Sequence, residues 1–253
     1  MIAISNQKGG VGKTTTTVNL AAALEKNCNR VLVVDFDPQA NATLHLGIQP
    51  NSLESSVNEA MLGRRTFSAI IQPVSEKLHV APAHPRLAQG AQAISAMPES
   101  HTQLSYRLDD IKGNYDYILI DCPPSVYALS ENAIAAADDV IIPVNADYLS
   151  LEGLGRFRAD IDAMRQAKKT HAKLLGVLIT VVDQRKGITT QSIDLIRQHF
   201  KKLVFKTEIR INVKLEEAPS FGQHIFDYDP SSIGATCYNQ LAKEVIRLCQ
   251  KAN

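Results

Sequence analysis

The sequence predicts an α/β fold with a doubly wound, mostly parallel sheet and helices on both faces. One observation is a series of short, β-branched apolar runs, as strands buried on both faces require. These runs lie at 1–5, 30–35, 115–121, 138–144 and 174–183. A second observation is that amphipathic stretches alternate with the runs, as in folds where a helix follows each strand. The stretches lie at 14–26, 130–138, 150–169 and 189–202.

The length and composition fit one globular domain that spans residues 1–253. With 253 residues, of which 45% are hydrophobic, the chain is long and apolar enough to bury a sizeable core. Prolines interrupt the segment 49–112, which we interpret as an elaboration of the same domain with a further strand at 77–83. Apolar residues recur at helical spacing over 235–251, which favours a final helix that closes the core over a membrane anchor.

The net charge and the cysteine spacing limit the classes of function that the chain can have. The 27 basic and 26 acidic residues leave a net charge of +1, so any contact with nucleic acid must come from a local basic patch. The four cysteines are scattered without a CxxC pair, which disfavours a zinc site and a secreted disulfide framework. Because the sequence has neither a signal-peptide pattern nor an apolar run near membrane-spanning length, we expect a cytoplasmic protein.

A glycine-rich loop follows the first predicted strand and precedes the first predicted helix. Residues 7–14 read QKGGVGKT, and in this context such a loop binds phosphate through backbone N–H groups and the helix N-terminus. We expect the Lys13 ammonium to reach the phosphates and the Thr14 hydroxyl to ligate Mg²⁺. The candidate nucleotide-binding residues are Lys8, Gly9, Gly10, Val11, Gly12, Lys13, Thr14 and Thr15.

Three aspartates end predicted strands at the edge where ligands bind in open α/β sheets. Asp121 ends the run YILID, which predicts a carboxylate beside the magnesium ion, acting through a coordinated water. Asp35 and Asp37 end the second run two residues apart, so their side chains point to the same side if the chain stays extended. One site can then use both carboxylates.

Several motifs together resemble one family. Where the ordinary phosphate loop has glycine, this chain has Gln7, and Lys8 follows it. The stretches KGGVGKTT at 8–15, DFDPQANAT at 35–43 and DCPPS at 121–125 resemble the deviant Walker A ATPases of the ParA/Soj type, in the ParA/MinD superfamily. The resemblance runs from residue 1 to about residue 250 and is weakest between 49 and 112. It is to the short form, without an N-terminal helix-turn-helix domain.

The resemblance implies a P-loop NTPase fold with ATP and Mg²⁺ as cofactors, and it assigns roles to particular residues. Lys8 would contact the nucleotide across a sandwich homodimer, Asp37 would help to position the attacking water, and Asp35 would support the magnesium shell. The segment 209–235 resembles one that touches the adenine, and there Asn212 is the candidate. The implied catalytic residues are Lys8, Lys13 and Asp37, and the implied magnesium residues are Thr14, Asp35 and Asp121.

Basic residues are dense in the C-terminal third, where the family has its DNA-binding face. They can supply the phosphate-facing charge that non-specific binding requires. The candidates are Arg185, Lys186, Arg197, Lys201, Lys202, Lys206, Arg210 and Lys214. The chain has Arg210 and Ile211 where the family commonly has proline and arginine, and Lys214 where it often has arginine.

The resemblance implies a weak ATPase that works as a switch. An ATP-bound dimer would bind DNA non-specifically, and a ParB-like or adaptor partner would stimulate hydrolysis, to segregate plasmid or chromosome DNA or to position a protein cargo. We expect such a protein on the nucleoid of a prokaryote, without stable membrane association. Two other classes share the loop: a MinD-like ATPase recruited to membranes, and a nitrogenase-reductase-like electron carrier, which needs two cluster-binding cysteines in each subunit.

Overall fold

The computed structural model describes residues 1–124, 128–146, 150–183, 185 and 187–252, and in that part of the chain it contains one seven-stranded sheet. The strands are β1 (Ile2–Ile4), β2 (Val31–Asp35), β3 (Gln72–Pro73), β4 (Leu78–Ala81), β5 (Tyr117–Asp121), β6 (Asp139–Asn145) and β7 (Lys173–Thr180). Their order is β3-β4-β2-β5-β1-β6-β7. Every pair is parallel except the antiparallel edge pair of β3 and β4, so the prediction of a mostly parallel sheet is confirmed.

Helices connect the strands and cover the sheet. They are α1 (Lys13–Lys26), α2 (Asn41–His45), α3 (Val57–Met61), α4 (Phe67–Ile70), α5 (Leu87–Ser95), α6 (Gln103–Leu108), α7 (Ala128–Ala136), α8 (Ser150–Gln166), α9 (Gly187–Phe200), α10 (Val213–Glu217), α11 (Ile225–Tyr228) and α12 (Ile233–Ala252). Short 3-10 turns lie at Pro50–Ser52, Ser100–Thr102, Lys112–Asn114, Lys201–Leu203 and Ala218–Phe221.

Strand β2 explains why the sheet is covered twice. Its five residues are all buried, and alternate side chains belong to opposite layers. Val31 and Val33 pack in one apolar cluster with residues of α1, α2 and α10 to α12, whereas Leu32 and Val34 pack in a second cluster with residues of α3 to α9. Helices therefore cover both faces, and this is why the apolar run is uninterrupted.

The structure adds detail where the sequence was least regular. The segment 49–112 contains α3 to α6 and the edge strand β3, besides the predicted strand that becomes β4. Strand β7 ends at Thr180, earlier than the predicted run, because Val181 has a φ of 54° and cannot continue an extended strand. Helices α7 and α9 each begin two residues earlier than their predicted stretches.

The last helix closes the core, as its apolar spacing predicts. Leu241, Ala242 and Val245 are fully buried in the cluster that contains the inner face of α1. The apolar side of α12 is therefore occupied by packing inside the domain. Within the described part of the chain, none of the helices has the length and apolarity needed to cross a bilayer.

Candidate functional site

The glycine-rich loop lies where the parallel strands end. Strand β1 ends at Ile4 and helix α1 begins at Lys13, so residues 5–12 form the connection. Gly10 and Gly12 have φ values of 71° and 80°, a left-handed conformation that glycine adopts without steric cost. A Cβ atom added at Gly9 or Gly10 would meet nothing within 4 Å. The loop thus borders open space at the positive end of the α1 dipole, as an anion-binding loop must.

Side chains fix both ends of the loop. The Asn6 amide donates a hydrogen bond to the Pro143 carbonyl at 2.7 Å, and its own oxygen accepts the Lys8 N–H at 3.0 Å. Gln7, which stands where the ordinary motif has glycine, donates to the Asp160 carboxylate on α8 at 2.9 Å. A glutamine at this position therefore ties the loop to a neighbouring helix, which glycine cannot do.

The far end of the loop is fixed by the last residue of β7. The Thr180 hydroxyl, which is buried, donates to the Val11 carbonyl at 2.9 Å. Val11 itself is fully buried. These contacts hold the loop in one conformation before α1 begins, and a preorganised loop loses little entropy when an anion binds.

The two lysines of the loop occupy different environments. Lys13 is 7% exposed, and its ammonium donates to the Lys8 carbonyl at 3.0 Å. Burial lowers the Lys13 pKa, while the negative charges of Asp121 and Asp37 oppose that shift. Lys8 is exposed, and its ammonium contacts the Asn145 amide oxygen at 3.3 Å. Lys13 is therefore held over the loop, whereas Lys8 lies at its rim.

Asp121 joins strand β5 to helix α1. One carboxylate oxygen accepts the Thr14 hydroxyl at 2.8 Å, and the other accepts the Thr17 hydroxyl at 3.0 Å. Mg²⁺ prefers oxygen ligands in an octahedron, where adjacent ligands lie about 2.9 Å apart. The Thr14 hydroxyl and the Asp121 carboxylate could therefore hold a magnesium ion together, Asp121 through a coordinated water.

Asp35, the last residue of β2, lies beside this pair, and Asp37 follows on a turn after the strand. The register of β2 and β5 pairs Asp35 with Asp121. The chain turns after Asp35, because its carboxylate accepts the Asp37 N–H at 3.2 Å and also the N–H and hydroxyl of Thr43 at 2.8 and 2.7 Å. The condition of an extended chain is therefore not met, and the turn, rather than strand alternation, brings the two aspartates together.

Burial and mutual repulsion shift the pKa values of the buried carboxyl groups. Asp35 and Asp121 are both fully buried, and burial raises the pKa of each carboxyl above its ordinary value. The neighbouring negative charge of Asp35 raises the pKa of Asp121 further, while the hydroxyls of Thr14 and Thr17 lower it. A divalent cation at this position would offset the repulsion. Burial also raises the pKa of the Cys122 thiol, so Cys122 is suited to packing and not to nucleophilic attack.

Each of the four threonines at the start of α1 makes a different contact. Thr14 and Thr17 bond to Asp121, and the Thr16 hydroxyl lies 3.3 Å from the Tyr238 hydroxyl of α12. Thr15 offers its carbonyl to the Asn19 amide at 2.8 Å. The sequence predicted a role for Thr14 and Thr15 only. The uninterrupted run of hydroxyl side chains was the feature of the sequence that could have indicated contacts for Thr16 and Thr17.

The structure divides the eight basic candidates. Three are paired with carboxylates: Arg185 with Asp183, Arg197 with Glu208, and Lys214 with Glu217. Among described residues no carboxylate lies within ion-pair distance of the exposed residues Lys201, Lys202, Lys206 and Arg210. Lys186 lies outside the described residues.

Helix α12 contributes basic residues that the sequence analysis missed. Lys206 and Arg210 line a shallow groove against α12, and a second groove continues from Lys206 to Lys243 and Arg247. Lys243 and Arg247 are four residues apart on one helical face, as solvated charges often are, so their spacing alone carried no signal.

Asn212 begins helix α10. Its side-chain oxygen accepts the Lys214 N–H at 2.8 Å, which makes Asn212 the N-cap of that helix. The preceding Ile211 N–H donates to the Val182 carbonyl at 3.2 Å, so this segment runs beside the chain that leaves β7. Thr180, at the end of β7, also contacts the glycine-rich loop. Asn212 therefore lies near the edge of the sheet where the parallel strands end and the loop begins.

Comparisons with known proteins extend over the whole chain. A family model described as an AAA domain matches residues 1–174. The chain is 44% identical over 246 residues to the sporulation initiation inhibitor protein Soj of Bacillus subtilis, covering 97% of each. It is 41% identical over 248 residues to the chromosome partitioning protein ParA of Myxococcus xanthus, covering 98% of this chain and 88% of that protein.

A solved structure matches equally fully. Cobyrinic acid a,c-diamide synthase from Mycobacterium smegmatis, with bound ADP and magnesium, has a TM-score of 0.87 and 31% sequence identity. The match covers 100% of this chain and 96% of that one. This similarity extends the resemblance from sequence motifs to the arrangement of the whole sheet.

Replacing Thr17 tests the junction between α1 and β5. We expect Thr17→Val to lower the free energy of unfolding by about 1–3 kcal/mol, because a buried carboxylate oxygen of Asp121 loses its donor. Urea unfolding measures this, and Thr17→Ser, which keeps the hydroxyl, is the matched control. A valine variant as stable as the unsubstituted protein would show that the hydrogen bond contributes nothing.

Proposed function

Since this chain belongs to the ParA/Soj family of chromosome-partitioning ATPases, we propose that it acts as an ATP-dependent dimeric switch. The ATP-bound dimer binds DNA non-specifically, and hydrolysis releases it. Hydrolysis is slow until a ParB-like or adaptor partner stimulates it. The switch segregates plasmid or chromosome DNA, or positions a protein cargo, on the nucleoid of a prokaryote. The observation that carries the proposal is the fixed loop, with Lys13 and Thr14 beside Asp121 and Lys8 at the rim.

Different residues of the loop and of α1 bind different parts of the triphosphate. Backbone N–H groups of residues 9–12 bind phosphate oxygens, and the Lys13 ammonium leaves the Lys8 carbonyl to bind the terminal phosphates. Thr14 and Asp121 would hold Mg²⁺, which neutralises phosphate charge and aligns the reacting groups when bound. Thr17 keeps the Asp121 carboxylate oriented through its hydrogen bond.

Asp37 positions the water that attacks the terminal phosphate. Transfer of this group needs well-placed charge more than a strong base, so a correctly positioned carboxylate suffices. Asp35 accepts the Asp37 N–H and is held in turn by Thr43, so it supports both Asp37 and the shell around the metal. Asn212, at the start of α10, supplies a contact to the adenine.

An exposed apolar patch next to the loop supports dimer formation. Val181, Ile211 and Val213 are 47%, 43% and 59% exposed, and they follow β7 or the segment paired beside it. Exposed apolar residues gathered at a charged rim are typical of an interaction surface. In the dimer, this patch faces its equivalent and Lys8 reaches the nucleotide of the partner subunit.

DNA contact is assigned to the basic residues without carboxylate partners. Lys206 and Arg210 together with Lys243 and Arg247 form what we call the basic groove. Two carboxylates also line the groove, but Glu208 is paired with Arg197 and Glu244 accepts the backbone N–H groups of Lys206 and Thr207. The four basic side chains have no ion-pair partner among the described residues and can neutralise phosphates. Lys201 and Lys202 extend this surface at the end of α9.

The MinD-like alternative requires an apolar helix face for the membrane. In this chain the apolar side of α12 is buried against α1, and a face that packs inside the domain is not available to a bilayer. The electron-carrier alternative requires two cysteines near the dimer face. Cys122 and Cys237 are buried, whereas Cys28 follows the end of α1 and Cys249 lies beside Met1, both away from the glycine-rich loop. The observations thus favour DNA over membranes and over redox chemistry.

Replacing Lys8 separates nucleotide binding from dimerisation. We expect Lys8→Ala to bind ATP within about threefold of the original affinity, because Lys13 and the backbone remain. The variant should stay monomeric with ATP, since its cross-subunit contact is lost. Calorimetry and sedimentation velocity measure the two properties, with Lys169→Ala, an exposed lysine elsewhere, as the control. Unchanged dimerisation would remove Lys8 from the interface.

Salt dependence tests the basic groove. Each lost phosphate contact reduces the slope of log affinity against log salt by about 0.9. We therefore expect Lys243→Ala with Arg247→Ala to weaken DNA binding uniformly across sequences and to reduce the slope by roughly 2. Lys168→Ala with Lys169→Ala is the matched control. An unchanged slope in the α12 variant would place DNA elsewhere.

A further inference from the structure

A cleft on the sheet face opposite α12 carries three arginines. Arg64 and Arg65 follow α3, and Arg107 lies in α6; together they line a cleft of about 390 Å³ with Thr66 and Tyr106 at its sides. We call this the arginine cleft. We propose that it is a docking site for an acidic segment of a partner protein.

The three arginines of the cleft form no ion pairs among the described residues. Within the described part of the chain, none of Arg64, Arg65 and Arg107 lies within ion-pair distance of a carboxylate. Other exposed arginines of the same domain do pair, such as Arg86 with Glu59 and Arg156 with Glu152. Three unpaired guanidinium groups in one concave site are the feature by which proteins recognise carboxylates and phosphates.

Arg107 is held ready for a ligand. Its Nε atom is buried without a hydrogen-bond partner in the structure. A Cβ atom at Gly63, whose φ is 71°, would lie 3.3 Å from both terminal nitrogens, so the guanidinium packs against this turn. Only a residue without a side chain allows that approach. The fixed orientation lowers the entropy that Arg107 loses on binding.

The cleft suits a peptide better than a polynucleotide. Asp109 and Asp110 also line it, and Asp109 is paired outward with Lys112. A continuous phosphodiester backbone would meet Asp110 after the arginines, whereas a short acidic segment needs to match only the basic part. Tyr106 is 76% exposed at the rim, and an exposed aromatic ring is a common anchor for a protein partner.

The position of the cleft also separates it from the basic groove. Phe67 and Ile111, which line the cleft, belong to the apolar cluster on one face of the sheet. Leu241 and Val245 of α12 belong to the cluster on the other face. The sheet therefore lies between the two surfaces, so DNA in the basic groove leaves the arginine cleft open to a protein partner. This inference does not rest on nucleotide-dependent DNA binding.

Fluorescence anisotropy with a labelled octaglutamate peptide tests the proposal on the full-length chain at low salt. We expect the unsubstituted protein to bind the peptide and Arg64→Glu with Arg65→Glu to weaken binding at least ~tenfold. Lys168→Glu with Lys169→Glu makes the same change of charge on another exposed surface and should bind as the original does. Arg107→Ala should also weaken binding, with Arg107→Lys between the two.

Other outcomes overturn the docking site. They are absence of peptide binding, an equal loss in the control variant, or displacement of the peptide by inorganic phosphate at equal concentration. DNA pelleting tests whether the cleft binds DNA phosphates instead. The Arg64→Glu, Arg65→Glu variant should pellet with DNA to the same extent as the unsubstituted protein. A parallel loss of DNA binding would make the cleft part of the DNA surface, whereas failure of DNA binding in every protein, with peptide binding intact, would contradict only the proposed function.

Discussion

The hydrogen bonds of Asp121 to Thr14 and Thr17 are the contacts on which the rest of the site depends. They fasten the first turn of α1 to the end of β5, and so fix the direction in which the loop approaches the sheet. Because parallel strands end at one edge, the same carboxylate also lies beside Asp35 of β2. The loop, the oxygens proposed to hold Mg²⁺ and the turn that holds Asp37 are thereby organised around a single buried group.

The same carboxylate edge connects to the C-terminal part of the chain. Asp35 binds Thr43 at the start of α2, and Gly47, just after α2, packs against Gly222 so closely that a Cβ atom at Gly222 would lie 2.7 Å from the Gly47 Cα. Gly222 follows the segment that contains α10. The Asp35 turn is therefore connected through tightly packed backbone to the segment that contains α10 and its N-cap Asn212.

Much of this arrangement was predictable from the sequence, and the remainder was not for identifiable reasons. The loop and Asp121 were predictable because Gly-Lys-Thr between a strand and a helix, and an aspartate ending an apolar run, are local patterns. The bonds of Thr17 and Thr43 are contacts between residues distant in sequence, which local patterns do not encode. The pairing of Arg197 with Glu208, and the position of Lys243 beside Lys206, likewise depend on how α9 and α12 pack.

In the proposed switch, the γ-phosphate bound at this loop controls whether the protein holds DNA. Co-sedimentation of the unsubstituted protein with DNA, compared in ATP, in ADP and without nucleotide, tests it most directly. We expect retention on DNA with ATP and magnesium only, and release as the ATP is consumed. Equal retention in all three conditions would contradict it.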